Sequence, residues 1–222
     1  MKPLVRYFSK KNADAFVDRG EVLFRALSYF RDYEDEGVRA DEHEGTLIHL
    51  PSEGLSITNV STKETIALPH RFEATAKEEE IFVYCMSTEI SSDIAHRFDA
   101  EVAVEIFDPL KFISLVRSKL SLRRRLRAEK LVHHQVRYYE WDEAPIVDWA
   151  LPERIAMRKP KSFEWQKEYR FAVPVGDAFR VENVSLKLRA PGDLRLRRAM
   201  LHPELLLKLG SLSKICQVHK LK

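Results

Sequence analysis

Short apolar runs of strand length follow one another along this chain, and the helical patterns between them keep no regular strand–helix–strand period. Residues 81–87, Ile-Phe-Val-Tyr-Cys-Met-Ser, read as a strong buried strand. Residues 4–8 read as a first strand and 12–19 as a helix, closed by Gly20 where a helix C-terminus favours glycine. Residues 21–27 read as a second strand. The segments 46–50 and 55–60 read as a hairpin through Pro51-Ser-Glu-Gly54, and 63–77 as irregular around Pro69. A short helix over 91–98 takes Ser91 or Ser92 as its cap, and 100–107 alternates as a strand. The longest helix is expected over 109–130, with Asp108 before Pro109 as its start. Residues 132–140 read as a strand, and 141–161, with three prolines, as a loop. Residues 169–175 and 179–188 read as strands joined around Gly176-Asp177. A helix over 203–209 and a strand over 212–221 close the chain. Dominant strands with interspersed helices and no βαβ repeat define an α+β fold, with a mixed or antiparallel β core and peripheral helices, rather than a doubly wound sheet.

At 222 residues the chain suits one large domain, taken as 1–222. With 45% hydrophobic and 32% charged residues it can bury a core, which argues against global disorder. The net charge of +3 and pI near 8.8 are a mild excess. Its distribution matters more, because 31–44 is rich in acid while 111–130 and 187–198 are basic. Cys85 and Cys216 stand far apart in apolar runs, fit neither a disulfide framework nor zinc spacing, and read as reduced core residues. The opening residues carry no signal-peptide pattern. No stretch approaches the roughly 18 uninterrupted apolar residues of a span. The expectation is a cytoplasmic chain with no membrane partner.

The sharpest local feature is Phe163-Glu-Trp-Gln-Lys-Glu-Tyr-Arg-Phe-Ala172. In extended chain, positions two apart point the same way. Gln166, Glu168 and Arg170 would then share one face, with Tyr169, Phe171 and Val173 packed into the core on the other. A carboxylate fixed at a strand end beside an amide suits stabilisation of a cationic sugar transition state in glycosyl transfer. The bland alternative is a solvated strand face with a Glu–Arg pair.

Gln166-Lys167-Glu168 resembles the Gln/Glu-x-Glu signature of the ADP-ribosyltransferase superfamily, of the Arg-Ser-Glu type. That signature leads into a core strand and follows a first-strand Arg and a mid-chain Ser-bearing strand. Here Arg6-Tyr7-Phe8-Ser9 and Tyr84-Cys85-Met86-Ser87-Thr88 occupy those places in the right order. The layout also resembles a broad group of bacterial proteins and toxin-like transferases over residues 4–45 and 165–173. Ser87-Thr88-Glu89 departs from a full Ser-Thr-Ser, and either Arg6 or Arg25 could be the first-strand Arg. The resemblance implies a transferase using NAD as substrate and no metal. Glu168 would steady the oxocarbenium as nicotinamide leaves, and Gln166 would orient the acceptor. Arg6 would hold the NAD diphosphate or ribose through its planar fork. Ser87 would position Glu168 or the ribose, and Tyr7 and Ser9 would be secondary contacts. It further implies a macromolecular acceptor, a role as bacterial toxin or anti-phage effector, and an antitoxin protein as partner.

Two other features bear on partners. Residues 28–45 pack charges of both signs, including Arg31, Arg39, Asp41 and Glu44, as in a lid or ligand-holding loop or a solvated acidic one. Their order is not that of an EF-hand. Arg123, Arg124, Arg125 and Arg127 sit in a basic run that extends the long helix, followed by Tyr138, Tyr139 and Trp141, with Arg195, Arg197 and Arg198 as a second patch. Such density neutralises phosphates, and the rings could stack on bases. This favours RNA or DNA over protein as acceptor. It also leaves open a non-catalytic nucleic-acid-binding or protein-interaction module on the same fold. His133 and His134, adjacent on a strand, face opposite ways and are poorly placed to chelate one ion together.

Overall fold

A computed structural model describes residues 2–32, 41–190, 193 and 202–221. Arg39 and the patch Arg195, Arg197 and Arg198 lie outside the described residues. The elements run β1 (Leu4–Phe8), α1 (Lys10–Arg19), β2 (Glu21–Ala26), α2 (Leu27–Asp32), β3 (Thr46–His49), β4 (Leu55–Thr58), β5 (Thr65–Leu68) and β6 (Arg71–Thr75). Then come β7 (Ile81–Ser87), α3 (Ser92–Arg97), β8 (Val102–Ile106), α4 (Pro109–Ser121), β9 (Val132–Gln135) and β10 (Arg137–Tyr139). The last are α5 (Pro152–Ile155), β11 (Arg158–Pro160), β12 (Glu168–Pro174), β13 (Ser185–Arg189), β14 (Glu204–Lys208) and β15 (Cys216–Lys220). The fold is α+β. None of the described helices is long and apolar enough to cross a membrane.

The opening unit follows local chemistry. Gly20 ends α1 in the left-handed region at φ 62°, and its N–H caps the helix on Phe16. A Cβ there would lie 2.2 Å from the Gly210 carbonyl oxygen, so the turn packs backbone on backbone. Ser91 caps α3, accepting from the Ile94 N–H, and Asp108 caps α4, accepting from the Lys111 N–H.

An eight-stranded antiparallel sheet organises the molecule. Along one edge β7 pairs with β12 over its whole length, from Glu168↔Ser87 to Pro174↔Ile81. Its other edge is shared. β2 meets it at Arg25↔Val83 and Ala26↔Phe82, and β1 meets it only at Val5↔Ser87. β1 and β2 therefore diverge from β7 as the arms of a fork. One face of the sheet is closed by α1 and α4 over Phe24, Tyr84, Phe112 and Phe171. The other is closed by Leu47, Ala74, Trp149 and Ile155, contributed by β3, β6 and the 147–155 segment.

Several elements depart from the sequence reading. β3 pairs with β6, and β4 with β5, so the expected 46–60 hairpin is absent and residues 63–77 are mostly strand. Residues 132–140 split into β9 and β10, which join different sheets. The 141–161 segment holds a 3-10 turn, α5 and β11, and β11 pairs in parallel with β10. β13 pairs with β6 rather than following β12 as a neighbour. Residues 204–208 are strand, not helix, because β2 offers them a ladder from Glu21 to Arg25. α4 stops at Ser121. Residues 123–127 are then drawn onto the end of β12, where Arg127 N–H donates to the Pro174 carbonyl (3.1 Å) and Gly176 N–H to that of Arg125 (2.9 Å).

Candidate functional site

The site begins with how the chain enters β12. Residues Lys161–Gln166 form a 3-10 helix, and Lys167 adopts the left-handed region at φ 45° before the strand starts at Glu168. That conformation costs a non-glycine residue on the order of 1 kcal/mol. The end of β7 fixes it. Ser87 Oγ donates to the Gln166 carbonyl (3.0 Å), and Thr88 N–H and Oγ1 donate to the Lys167 carbonyl (2.9 and 3.2 Å). Ser87 is buried and holds the turn that presents Gln166 and Glu168; it is not among the residues lining the cleft. It sits where the contact expected with ribose would have to be made through the residues it positions. Tyr138 Oη accepts from the Glu168 N–H at 2.9 Å.

The alternation expected along 168–173 is present, with Tyr169, Phe171 and Val173 in the helix-side core. The polar face is not solvated: Glu168 is 3% exposed and Arg170 0%. Gln166 reaches Glu168 not through the strand pleat, since the turn at Lys167 intervenes, but through Lys159 on β11. Lys159 Nζ donates to Gln166 Oε1 (3.0 Å) and lies 3.3 Å from Glu168 Oε2 and 3.8 Å from Glu44 Oε2. Arg170 donates through Nε to Glu168 Oε1 (2.6 Å), through Nη1 and Nη2 to both Glu44 oxygens (2.6 and 3.1 Å), and to the Ala156 carbonyl (2.7 Å). Asp41, also buried, accepts from the His43 N–H at 3.0 Å.

This cluster sets its own charges. Burial pushes the Glu168 carboxyl up, but Arg170 and Lys159 outweigh it and hold the group at about 2. Burial, then the Glu44 charge, push Asp41 up to about 7. Burial opposes the charge on Lys159, yet Glu168 and Glu44 keep it firmly protonated. Two buried carboxylates, Glu168 and Glu44, face the two cations Arg170 and Lys159, so the ion pairs match in number. Burial first, and then the Glu168 charge, push the Cys85 thiol up to about 12.

Above the cluster lies a pocket of about 80 Å³ lined by Arg6, Tyr7, Cys85, Lys159, Gln166 and Glu168. Arg6, Tyr7 and Cys85 also line a larger cleft of about 950 Å³, at the upper end of the range for small-molecule sites. The larger cleft occupies the fork. Cys85, between the bridge points Val83 and Ser87, has no strand partner on that edge, and Arg6 Nη1 donates to its carbonyl. The Arg6 guanidinium lies over the rings of Tyr84 (5.2 Å) and Phe8 (5.8 Å). Ser9 lines the cleft as the N-cap of α1 without a side-chain cap bond. Tyr7 Oη donates to the Glu89 carbonyl and accepts from the Ser91 N–H, so it fixes the α3 end of the cleft. Arg25 lines the far rim, ion-paired with Glu204 and stacked on Tyr29 (4.4 Å).

The structure thus brings Arg6, Tyr7, Gln166 and Glu168 to one pocket, with Ser9 in the adjoining cleft and Ser87 behind. Lys159, Arg170, Glu44 and Cys85 complete the site and were not singled out as site residues from the sequence. Two of them carried a hint, Arg170 as the strand-face neighbour of Glu168 and Glu44 as part of the charged 28–45 stretch.

Arg123, Arg124, Arg125 and Arg127 lie elsewhere, and not on a helix. They are exposed on the turn after α4, at the end of β12 opposite Glu168, about 20 Å away at ~3.4 Å per strand residue. Arg123 donates to the Leu206 carbonyl (3.4 Å), and Leu206 lines the rim of the cleft. None of the four has a carboxylate partner among the described residues. His133 Nδ1 lies 2.9 Å from Tyr169 Oη, and His134 Nδ1 2.8 Å from the Gln135 carbonyl. Among the described residues no group of three His, Cys, Asp or Glu is placed to hold a metal ion. No protein-family model matches the chain, and neither a curated protein nor a solved structure shows significant similarity to it.

Proposed function

We propose that the chain transfers ADP-ribose from NAD to a macromolecule, with nucleic acid favoured as acceptor. The observation that carries this reading is the meeting of Arg6 with Gln166 and Glu168 in one pocket, from two distant stretches of sequence. NAD supplies an activated glycosidic bond. Arg6, a cation with no carboxylate partner among the described residues, suits its diphosphate or the adjoining ribose. Glu168 offers a fixed carboxylate to the positive charge that develops on the ribose, and Gln166 lies beside it for the incoming group. The arginine turn bordering the cleft suits the phosphates of an RNA or DNA acceptor. A toxin or anti-phage role, with an antitoxin partner, is the biological setting the resemblance implies.

One observation favours a second reading. Glu168 is already matched by Arg170 and Lys159, so its charge acts weakly on a third group, and the cleft could bind a nucleotide without transfer. Labelled NAD incubated with the protein and total cell lysate, followed by nuclease or protease digestion, tests both. Nuclease-sensitive label supports transfer to nucleic acid, and protease-sensitive label moves the acceptor to protein. NAD that binds and stays intact supports the second reading, and NAD that neither binds nor reacts refutes both.

A further inference from the structure

Two residues that line the cleft each carry a buried donor with no answering acceptor. Tyr84 Oη and Arg6 Nε are shut off from solvent and make no hydrogen bond among the described residues. Buried donors almost always pair, and an exception calls for a reason. Removal of an unanswered buried hydroxyl is ordinarily neutral or stabilising, so nothing in the folded protein alone accounts for Tyr84.

Its surroundings point to a ligand. Tyr84 is 3% exposed, yet it is one of the residues lining the cleft. Phe24, Phe112 and Phe171 hold that ring, with centroids 5.5, 6.5 and 6.3 Å away, so the hydroxyl oxygen cannot move to find another partner. The Arg6 guanidinium packs on the same ring. Of the acidic residues lining the cleft, Glu204 is engaged by Arg25 and Glu21 by Arg19, Asp99 is exposed with no cation partner among the described residues, and Arg6 has no carboxylate partner among them. The same space reaches Ser9 and Asn12 at the start of α1, whose first turn carries no acidic side chain. The helix end adds positive potential in the same direction.

We infer that Tyr84 Oη and Arg6 Nε form an oxyanion subsite, which takes a phosphoryl oxygen of the ligand. On the NAD reading proposed above, that oxygen belongs to the diphosphate. Tyr84 would then be a binding residue lying on the helix side of the sheet, while Glu168 lies on the other, and the fork joins the two.

The test is Tyr84→Phe, with melting temperature measured without ligand and binding of NAD and of inorganic pyrophosphate measured by calorimetry. The variant should melt at or above the wild-type temperature. It should bind both ligands about tenfold more weakly, as expected for a lost hydrogen bond to a charged group. A clearly lower melting temperature would mean that the hydroxyl has a partner inside the protein, and would overturn the subsite. Pyrophosphate binding equal to wild type, or none by the wild-type protein, would overturn it as well. Tyr84-dependent binding of pyrophosphate without binding of NAD would uphold the subsite and sink the NAD reading instead.

Discussion

Replacing Glu168 by Gln tests whether the buried cluster exists in solution. The change keeps the shape of the side chain but leaves Glu44 as the one carboxylate still ion-paired with Arg170 and Lys159. From the sequence alone such an isosteric change is expected to spare the fold; the ion pairs argue otherwise. A carboxyl held at about 2, against a usual value near 4.5, represents about 3 kcal/mol at neutral pH, at roughly 1.4 kcal/mol per pKa unit. Breaking a buried ion pair costs a similar ~3–5 kcal/mol. For a chain of this length, about 3 kcal/mol lowers the melting temperature by roughly 6–12 °C. The folded carboxyl is depressed, so its contribution is complete above the unfolded value near 4.5 and is lost as pH falls toward 2. Urea unfolding followed by tryptophan fluorescence at pH 7, 4 and 2.5 should show a gap between wild type and variant that narrows in acid. Equal stability at pH 7, or a gap that does not narrow, would refute the ion-paired carboxylate. Turnover of NAD by the variant must be read below its own melting temperature, where the transferase reading expects none.

Asp41→Asn should act in the opposite sense. The folded carboxyl is raised from 3.8 to about 7, so wild-type stability falls as pH rises through that window. The variant should gain on the order of 2–4 kcal/mol at pH 8 and little at pH 4, and equal stability at both would count against it. Arg6→Ala should weaken NAD binding at least about tenfold and cost about 1–2 kcal/mol, because it also strips the Cys85 carbonyl of its donor; unchanged affinity in calorimetry would make Arg25 the better candidate. Alanine at Arg123, Arg124, Arg125 and Arg127 should weaken RNA or DNA binding across sequences, flatten its salt dependence by about one unit of slope per lost contact, and leave acceptor-free NAD hydrolysis intact. Salt-independent binding would count against the acceptor surface. Gly20→Ala should destabilise by at least about 2 kcal/mol in chemical denaturation, since its Cβ would meet the Gly210 oxygen at 2.2 Å; a neutral change would refute the close approach.

What the sequence made legible was what local chemistry decides. β1, α1 with its glycine stop, β7 and the caps of α3 and α4 are each written in a few adjacent residues. The Gln166–Glu168 motif was visible for the same reason. Pairing over distance was not. Glu204-Leu-Leu-Leu-Lys208 has good helix formers, but the ladder offered by β2 overrides propensity. The arginines after Ser121 would prolong α4 by propensity alone, yet the backbone of residues 125–127 bonds the end of β12. Lys159 carries no local mark at all. It enters the site because β11 pairs with β10, whose Tyr138 in turn braces Glu168.

The fork in the sheet links the pairing of its strands to the site. An interior strand normally satisfies its backbone on both edges. Where β1 and β2 part, Cys85 loses its neighbour on one edge, and the carbonyl left there needs a donor. Arg6 supplies it with one nitrogen. A neutral donor would have sufficed for that carbonyl. A guanidinium brings in addition a charge with no carboxylate partner among the described residues and a second donor, Nε, with nothing to bond. The substitution Arg6→Lys keeps the charge and loses the planar fork, so it separates the two demands. If closing the Cys85 carbonyl were the whole role, Arg6→Lys would restore stability relative to Arg6→Ala and nothing else would change. If the fork is built to hold an anion, Arg6→Lys recovers stability but not affinity, and that split is the measurement that decides whether the gap in the sheet is a flaw covered over or a site.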